Sequence, residues 1–284
     1  MDDPRLTPAR PDLAAKYLEG KVKAERFVDG EEFCVRDAIT PLREGPTADA
    51  MLATQALKGE RVTIYERDSE GLAWGQLNGD GYVGWMPDAA LVRSAVAPTH
   101  KITALRTFAF PGPSIKLPPI EGLWLGCQLA VARIEEPFAV MHSGGYVPAR
   151  HLALLDAVAT DMVAVAEQFL HVPYLWGGKT ALGLDCSGLV QIAFTACGLP
   201  CPRDSAMQEQ ALGVAFSPAP DRSDLRRGDL LFWKGHVAIA RGARTLLHAN
   251  AFHMAVATET IAQALARIAA GGSELTSVRR IGTT

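Results

Sequence analysis

A chain of 284 residues exceeds what one compact core usually takes, so two or three domains are expected. A composition of 48% hydrophobic and 21% charged residues with a net charge of -3 is that of an ordinary globular protein and excludes an electrostatic case for a nucleic-acid partner. Five cysteines, an odd number scattered along the chain, do not form a disulfide framework and fit a reducing compartment.

Residues 1–30 mix Asp2, Asp3, Arg5 and Arg10 with prolines and lack the apolar run of a secretory signal or membrane anchor. They read as an N-terminal extension of a cytoplasmic protein with no membrane partner. An internal repeat follows. Ile39-Thr40-Pro41-Leu42-Arg43 returns as Ile102-Thr103-Ala104-Leu105-Arg106, and Gly81-Tyr82-Val83 as Gly145-Tyr146-Val147, at offsets of 63 and 64 residues. Short β-rich runs such as Val62-Thr63-Ile64-Tyr65, bounded by Gly, Asp and Asn, predict two small β-barrels at 31–95 and 96–153, joined around Arg93 to His100. The pattern resembles tandem bacterial SH3-like domains, with Gly81-Tyr82-Val83-Gly84-Trp85 as the closing strand of the first copy. The second copy has drifted, with proline and glycine over 108–120 and no Trp after Val147. Tyr82 and Trp85 suit either a ligand groove or the filling of a tiny core.

From 154 to the end a further domain is expected. Val158, Met162, Val165, Ala166 and Phe169 fall on one helical face that stops at Val172-Pro173. Beyond Tyr174-Leu175-Trp176-Gly177-Gly178 comes Asp185-Cys186-Ser187-Gly188 and a helical run to Cys197, closed by Gly198 and Pro200. Cys186 therefore sits at a helix N-terminus, where unpaired amides and the dipole favour thiolate and an oxyanion. A buried structural cysteine is the alternative.

A thiol nucleophile needs a base. Gly228 to Trp233, Gly235 to Ala240 and Thr245 to His248 read as strands. A hairpin centred on Gly242 sets His236 directly opposite His248, so that His236 takes the Cys186 proton and His248 orients it. Asn250 and His253 are the substitutes for His248. Zinc is excluded as a reading because Cys197 and Cys201 have a knuckle spacing but no second close pair; no metal or cofactor is expected.

Pro173-Tyr174, Trp176-Gly177-Gly178, Asp185-Cys186-Ser187-Gly188-Leu189, Gly228-Asp229-Leu230-Leu231-Phe232 and Gly235-His236-Val237 together resemble the NlpC/p-sixty cell-wall peptidases. The two SH3-like domains resemble the dipeptidyl-peptidase VI subgroup. The resemblance implies an α+β chain: a papain-like NlpC-type domain of helices packed on an antiparallel sheet, preceded by two small SH3-like β-barrels. It implies hydrolysis of the γ-D-glutamyl-diamino acid bond, with meso-diaminopimelate or Lys, in murein peptides that begin with a free L-Ala. By matching position, Tyr174 joins the Cys186 amide in the oxyanion hole, and Trp176, Asp185, Ser187, Arg203 and Ser205 line the substrate site. Tyr82 and an acidic residue, for which Glu60 is the candidate, wall off the groove at the amine. Asp185 either binds the substrate ammonium or caps the helix. Arg203 either holds a peptide carboxylate or pairs with Asp204. Two other functions remain compatible with the sequence: a non-catalytic murein-peptide binding protein, and an acyltransferase working through the same thioester.

Overall fold

Alternation sets the strands of the first half: along Arg61–Arg67, Val62 and Ile64 turn inward while their neighbours stay in contact with water. In the computed structural model, which describes residues 3–93 and 96–282, the chain divides between Ala157 and Val158 into two compact units. Met1, Asp2, two residues of the expected connection (Ser94 and Ala95) and the last two, Thr283 and Thr284, lie outside the described residues.

In the first unit a seven-stranded antiparallel sheet runs in the order Leu52–Leu57, Ile39–Arg43, Val83–Pro87, Leu72–Leu77, Arg61–Arg67, Glu31–Val35, Leu91–Val92. The Gly81-Tyr82-Val83-Gly84-Trp85 segment thus feeds a strand inside the sheet. Gly84 is required there because a Cβ would lie 2.6 Å from the Arg43 carbonyl oxygen of the adjoining strand. The segment read as an extension is packed onto this barrel. Leu13–Ala15 pairs in parallel with Arg26–Val28, Leu13 joins Trp74 and Trp85, and the Arg10 guanidinium lies 4.4 Å over the Trp74 ring while pairing with Glu66. Residues 96–157 form smaller sheets instead of one. His100–Ile102 pairs with Gln128–Leu129 and Leu152–Leu154, Arg106–Ala109 pairs with Glu121–Trp124, and Phe138–Met141 lies between Val131–Glu135 and Tyr146–Pro148. The repeated Ile-Thr-x-Leu-Arg motif is one strand in the first copy and is split between two strands in the second.

The second unit is built on a six-stranded antiparallel sheet in the order Val214–Phe216, Leu275–Arg280, Leu230–Trp233, His236–Ala240, Thr245–Asn250, Ala255–Thr260. Helix α1 (Met162–Glu167) is shorter than its periodicity predicts. The Asp161 carboxylate accepts from the amides of Val163 and Ala164 and starts the helix after Val158, which stays exposed. Helix α2 (Cys186–Ala196) packs across strands His236–Ala240 and Thr245–Asn250, α3 (Ser205–Ala211) adjoins it, and α4 (Ile261–Ala270) closes a core of Leu246, Ala238 and Ala240 with Ile261 and Ala264.

Candidate active site

Two chain segments approach closely enough at the start of α2 that only glycine fits. A Cβ on Gly188 would sit 2.2 Å from the Gly178 carbonyl oxygen, and one on Gly178 would sit 2.3 Å from that of Gly183. The Trp-Gly-Gly and Cys-Ser-Gly motifs are therefore one packing unit. Asp185 caps the helix by accepting from the Gly188 amide at 2.7 Å, which leaves Cys186 as the first helical residue. The backbone amides of Val237, the residue after His236, and of Ser187 favour the thiolate. Burial, with the Asp185 charge second, pushes the Cys186 thiol up to about 12, outweighing the amides at the helix start. At rest the sulfur is a thiol.

The two histidines meet, though not in the predicted register. Ile239 pairs with Leu247 and Ala240 with Leu246, so the hairpin is centred on Ala243, with Gly242 at φ 157°, and the same register continued sets Asn250 opposite His236. His248 becomes the diagonal neighbour on the same face, still within reach of a ring. His236 Nε2 lies 2.9 Å from His248 Nδ1, with ring centroids 5.1 Å apart. Burial holds both imidazoles far down, His236 to about 3 with His248 and Arg267 lowering it further, and His248 to about 4 against the opposing pull of Glu259. The pair is neutral at rest. Asn250 and His253 serve the next turn instead: the Asn250 side-chain oxygen accepts from the His253 amide at 2.8 Å and lies 2.9 Å from its Nδ1.

Tyr174 is half-buried, and its amide donates to the Met254 carbonyl at 2.9 Å, which ties the Trp-Gly-Gly segment to the turn after Asn250. Burial raises the Tyr174 hydroxyl above its ordinary range, with the charges of Cys186 and Asp185 adding to the effect, so it stays protonated as a donor. Trp176, Phe252 and Met254 are exposed large side chains on these two segments, with Trp176 at 60% exposure.

Arg203 finds a partner that the sequence did not single out. Its guanidinium is 1% exposed and donates to both Asp185 oxygens at 2.9 and 2.7 Å, to Ser187 Oγ at 2.9 Å and to the Gly178 carbonyl at 3.2 Å. That depth removes the guanidinium from a peptide carboxylate. Asp185 also accepts from the Gly177 amide at 2.8 Å and from Ser187 Oγ at 3.2 Å, so the helix-cap reading holds. An ammonium could reach this carboxylate only by displacing a donor. Ser205, buried, opens α3. In the first unit, Tyr82 is buried in the barrel core at 4% exposure, and Glu60 accepts from the Leu57 amide at 3.0 Å.

A strand and a helix add two residues that the motifs do not mark. Thr245–Asn250 pairs with Ala255–Thr260 so that His248 faces Ala257 and Leu246 faces Glu259, which sets Glu259 on the His248 side of the sheet. His248 Nε2 lies 2.8 Å from Glu259 Oε1, and Arg267, from the last turn of α4, donates to both Glu259 oxygens. The signal in the sequence is the period of two from Ala257 to Glu259. His248, His253 and Glu259 place ligand atoms within 4.8 Å of one another, but Arg267 brings a cation onto the same carboxylate, a poor setting for a metal ion.

Comparison with known proteins places both units of the chain in known families. Residues 171–267 match the model of the NlpC/P60 family, and residues 42–91 match that of the bacterial dipeptidyl-peptidase Sh3 domain. The γ-D-glutamyl-L-lysine dipeptidyl-peptidase of Bacillus subtilis is 30% identical over 266 residues, 84% of this chain and 84% of the relative. The chain belongs to the NlpC/P60 family of cysteine peptidases. Dipeptidyl-peptidase 6 of Lysinibacillus sphaericus is 35% identical over 130 residues, 45% of each chain. An NlpC/P60 family crystal structure from Bacillus cereus, 21% identical, superposes with a TM-score of 0.74 over 88% of this chain and 99% of its own, which shows the shared α+β fold. Among the described residues no helix is long and apolar enough to cross a membrane.

Proposed function

We propose that this NlpC/P60 peptidase hydrolyses the γ-D-glutamyl-diamino acid bond of murein peptides with a free N-terminal L-Ala, and that it acts on fragments in the cytoplasm. The observation that carries the chemistry is the 2.9 Å contact between the two imidazoles, on two strands against which α2, with Cys186 at its start, is packed. The substrate class rests on the named activities of the Bacillus subtilis and Lysinibacillus sphaericus relatives.

The Cys186 thiol attacks the carbonyl carbon of the γ-glutamyl amide as His236 accepts its proton, and a carbon–sulfur bond forms. The oxygen of the tetrahedral adduct takes hydrogen bonds from the Tyr174 hydroxyl and the Cys186 amide. His236 returns the proton to the departing amine of the diamino acid, leaving a thioester on Cys186. Water then gives its proton to His236, attacks the thioester and regenerates the thiol. Because both groups start uncharged, charge develops only as the bond forms, in a site where Tyr174 is already a donor. In this scheme Trp176 contacts the peptide, and Asp185, Ser187, Arg203 and Ser205 shape the floor beneath it. We take 96–153 as a second SH3-like barrel, outside the chemistry.

Incubation with L-Ala-γ-D-Glu-meso-diaminopimelate tests the proposal. Release of L-Ala-D-Glu and free diaminopimelate is expected. A longer conjugate formed with an added amine identifies an acyltransferase, and an unchanged peptide with folded protein identifies a binding protein.

A further inference from the structure

Which nitrogen of His236 carries the proton decides where its lone pair lies, and that choice is made two side chains away, at Glu259. An ionised carboxylate can only accept hydrogen bonds. Glu259 is kept ionised: burial works against the charge, but the Arg267 guanidinium donates to both oxygens and His248 contacts one of them, and together they hold the carboxyl below its usual range. His248 Nε2, 2.8 Å from Glu259 Oε1, must therefore carry the proton. A neutral imidazole has only one N–H, so His248 Nδ1 is a bare acceptor. His236 Nε2, 2.9 Å from it, must then be the donor, and the lone pair of His236 is left on Nδ1.

We infer that Glu259, clamped by Arg267, is a positioning residue of the peptidase that fixes the tautomers of His248 and, through it, of His236. The inference rests on the reading of His236 as the base for Cys186. The clamp is built into the fold. Glu259 is the penultimate residue of the strand that pairs with the His248 strand, and α4, which follows with Thr260 as its cap, carries Arg267 back over the carboxylate. Arg267 is fixed from its other side as well, with its guanidinium 4.5 Å from the Phe252 ring centroid. His253, whose Nδ1 is 3.8 Å from Glu259 Oε1, is engaged at that nitrogen by Asn250 at 2.9 Å and does not replace His248.

The test is imidazole nitrogen NMR on the full chain with labelled histidine at neutral pH, together with turnover of L-Ala-γ-D-Glu-meso-diaminopimelate. Wild type is expected to show His248 protonated on Nε2 and bare on Nδ1, and His236 protonated on Nε2. Glu259→Gln and Glu259→Ala are expected to mix the His248 tautomers and lower kcat by about 10–100-fold with KM little changed, while Glu259→Asp recovers part of both. A wild-type spectrum with the His248 proton on Nδ1 overturns the inference even if every variant misfolds. Unchanged tautomers in folded Glu259→Gln overturn it too, as does unchanged kcat despite mixed tautomers. Absent turnover by wild type with the expected tautomers would instead count against the proposed substrate.

Discussion

Two carboxylate–arginine pairs stand behind the two halves of the site, and they do different work. Asp185 and Arg203 are both buried beneath the nucleophile, and the Asp185 oxygens are filled by Gly177, Gly188 and Ser187 as well as by the guanidinium. Glu259 and Arg267 sit behind the base, and there one carboxylate oxygen is shared with an imidazole. The first pair locks backbone. The second passes a hydrogen-bond direction along to His248 and His236. Like charges with like partners become scaffold or machinery according to what occupies the remaining lone pairs.

The largest effect that sharpens this comparison is Cys186→Ala, expected to reduce turnover by at least about 10⁴-fold with the thermal midpoint retained, as read by product chromatography and calorimetry. Asp185→Ala leaves the Arg203 charge buried without its carboxylate and should cost about 3–5 kcal/mol in denaturant unfolding. If it merely slowed turnover while stability held, the two pairs would not differ as described. Glu259→Ala should show the reverse balance, with its loss concentrated in kcat. A smaller effect belongs to Trp176→Ala: an exposed ring that contacts peptide should raise KM several-fold, about 1 kcal/mol, and leave the melting curve in place.

The pH dependence follows from the same burial. Both histidines have folded values below the unfolded value of about 6.5, so the unfolded chain binds more protons in acid and stability falls as pH drops below about 6.5 toward 3–4. His248→Gln should flatten that acid slope in denaturant titrations. A slope unchanged by the substitution would mean that His248 is not held neutral.

The sequence carried the nucleophile and its helix legibly because short-range rules govern both: an Asp cap, a helical run, and glycines where segments touch. The pairing of His236 with His248 was also within reach, since alternation along two strands keeps them on one face even when the hairpin centre moves from Gly242 to Ala243. Three features were less accessible. The length of α1 is set by the Asp161 cap rather than by the apolar face that runs past it on both sides. Arg203 finds Asp185 because the segment after α2 returns beneath the first turn, a long-range event that no local pattern encodes. Packing of residues 3–30 on Trp74 and Trp85 likewise joins parts distant in the chain. Raised thiol and lowered imidazole values depend on burial, which composition does not supply.

Active-site labelling puts the central claim to its most direct test. A chloromethyl ketone built on L-Ala-γ-D-Glu, followed by peptide mass mapping, should modify Cys186 alone among the five free cysteines, and His236→Ala should abolish the modification. Labelling of Cys197 or Cys201 instead, or equal labelling of Cys186 without the imidazole, would contradict it.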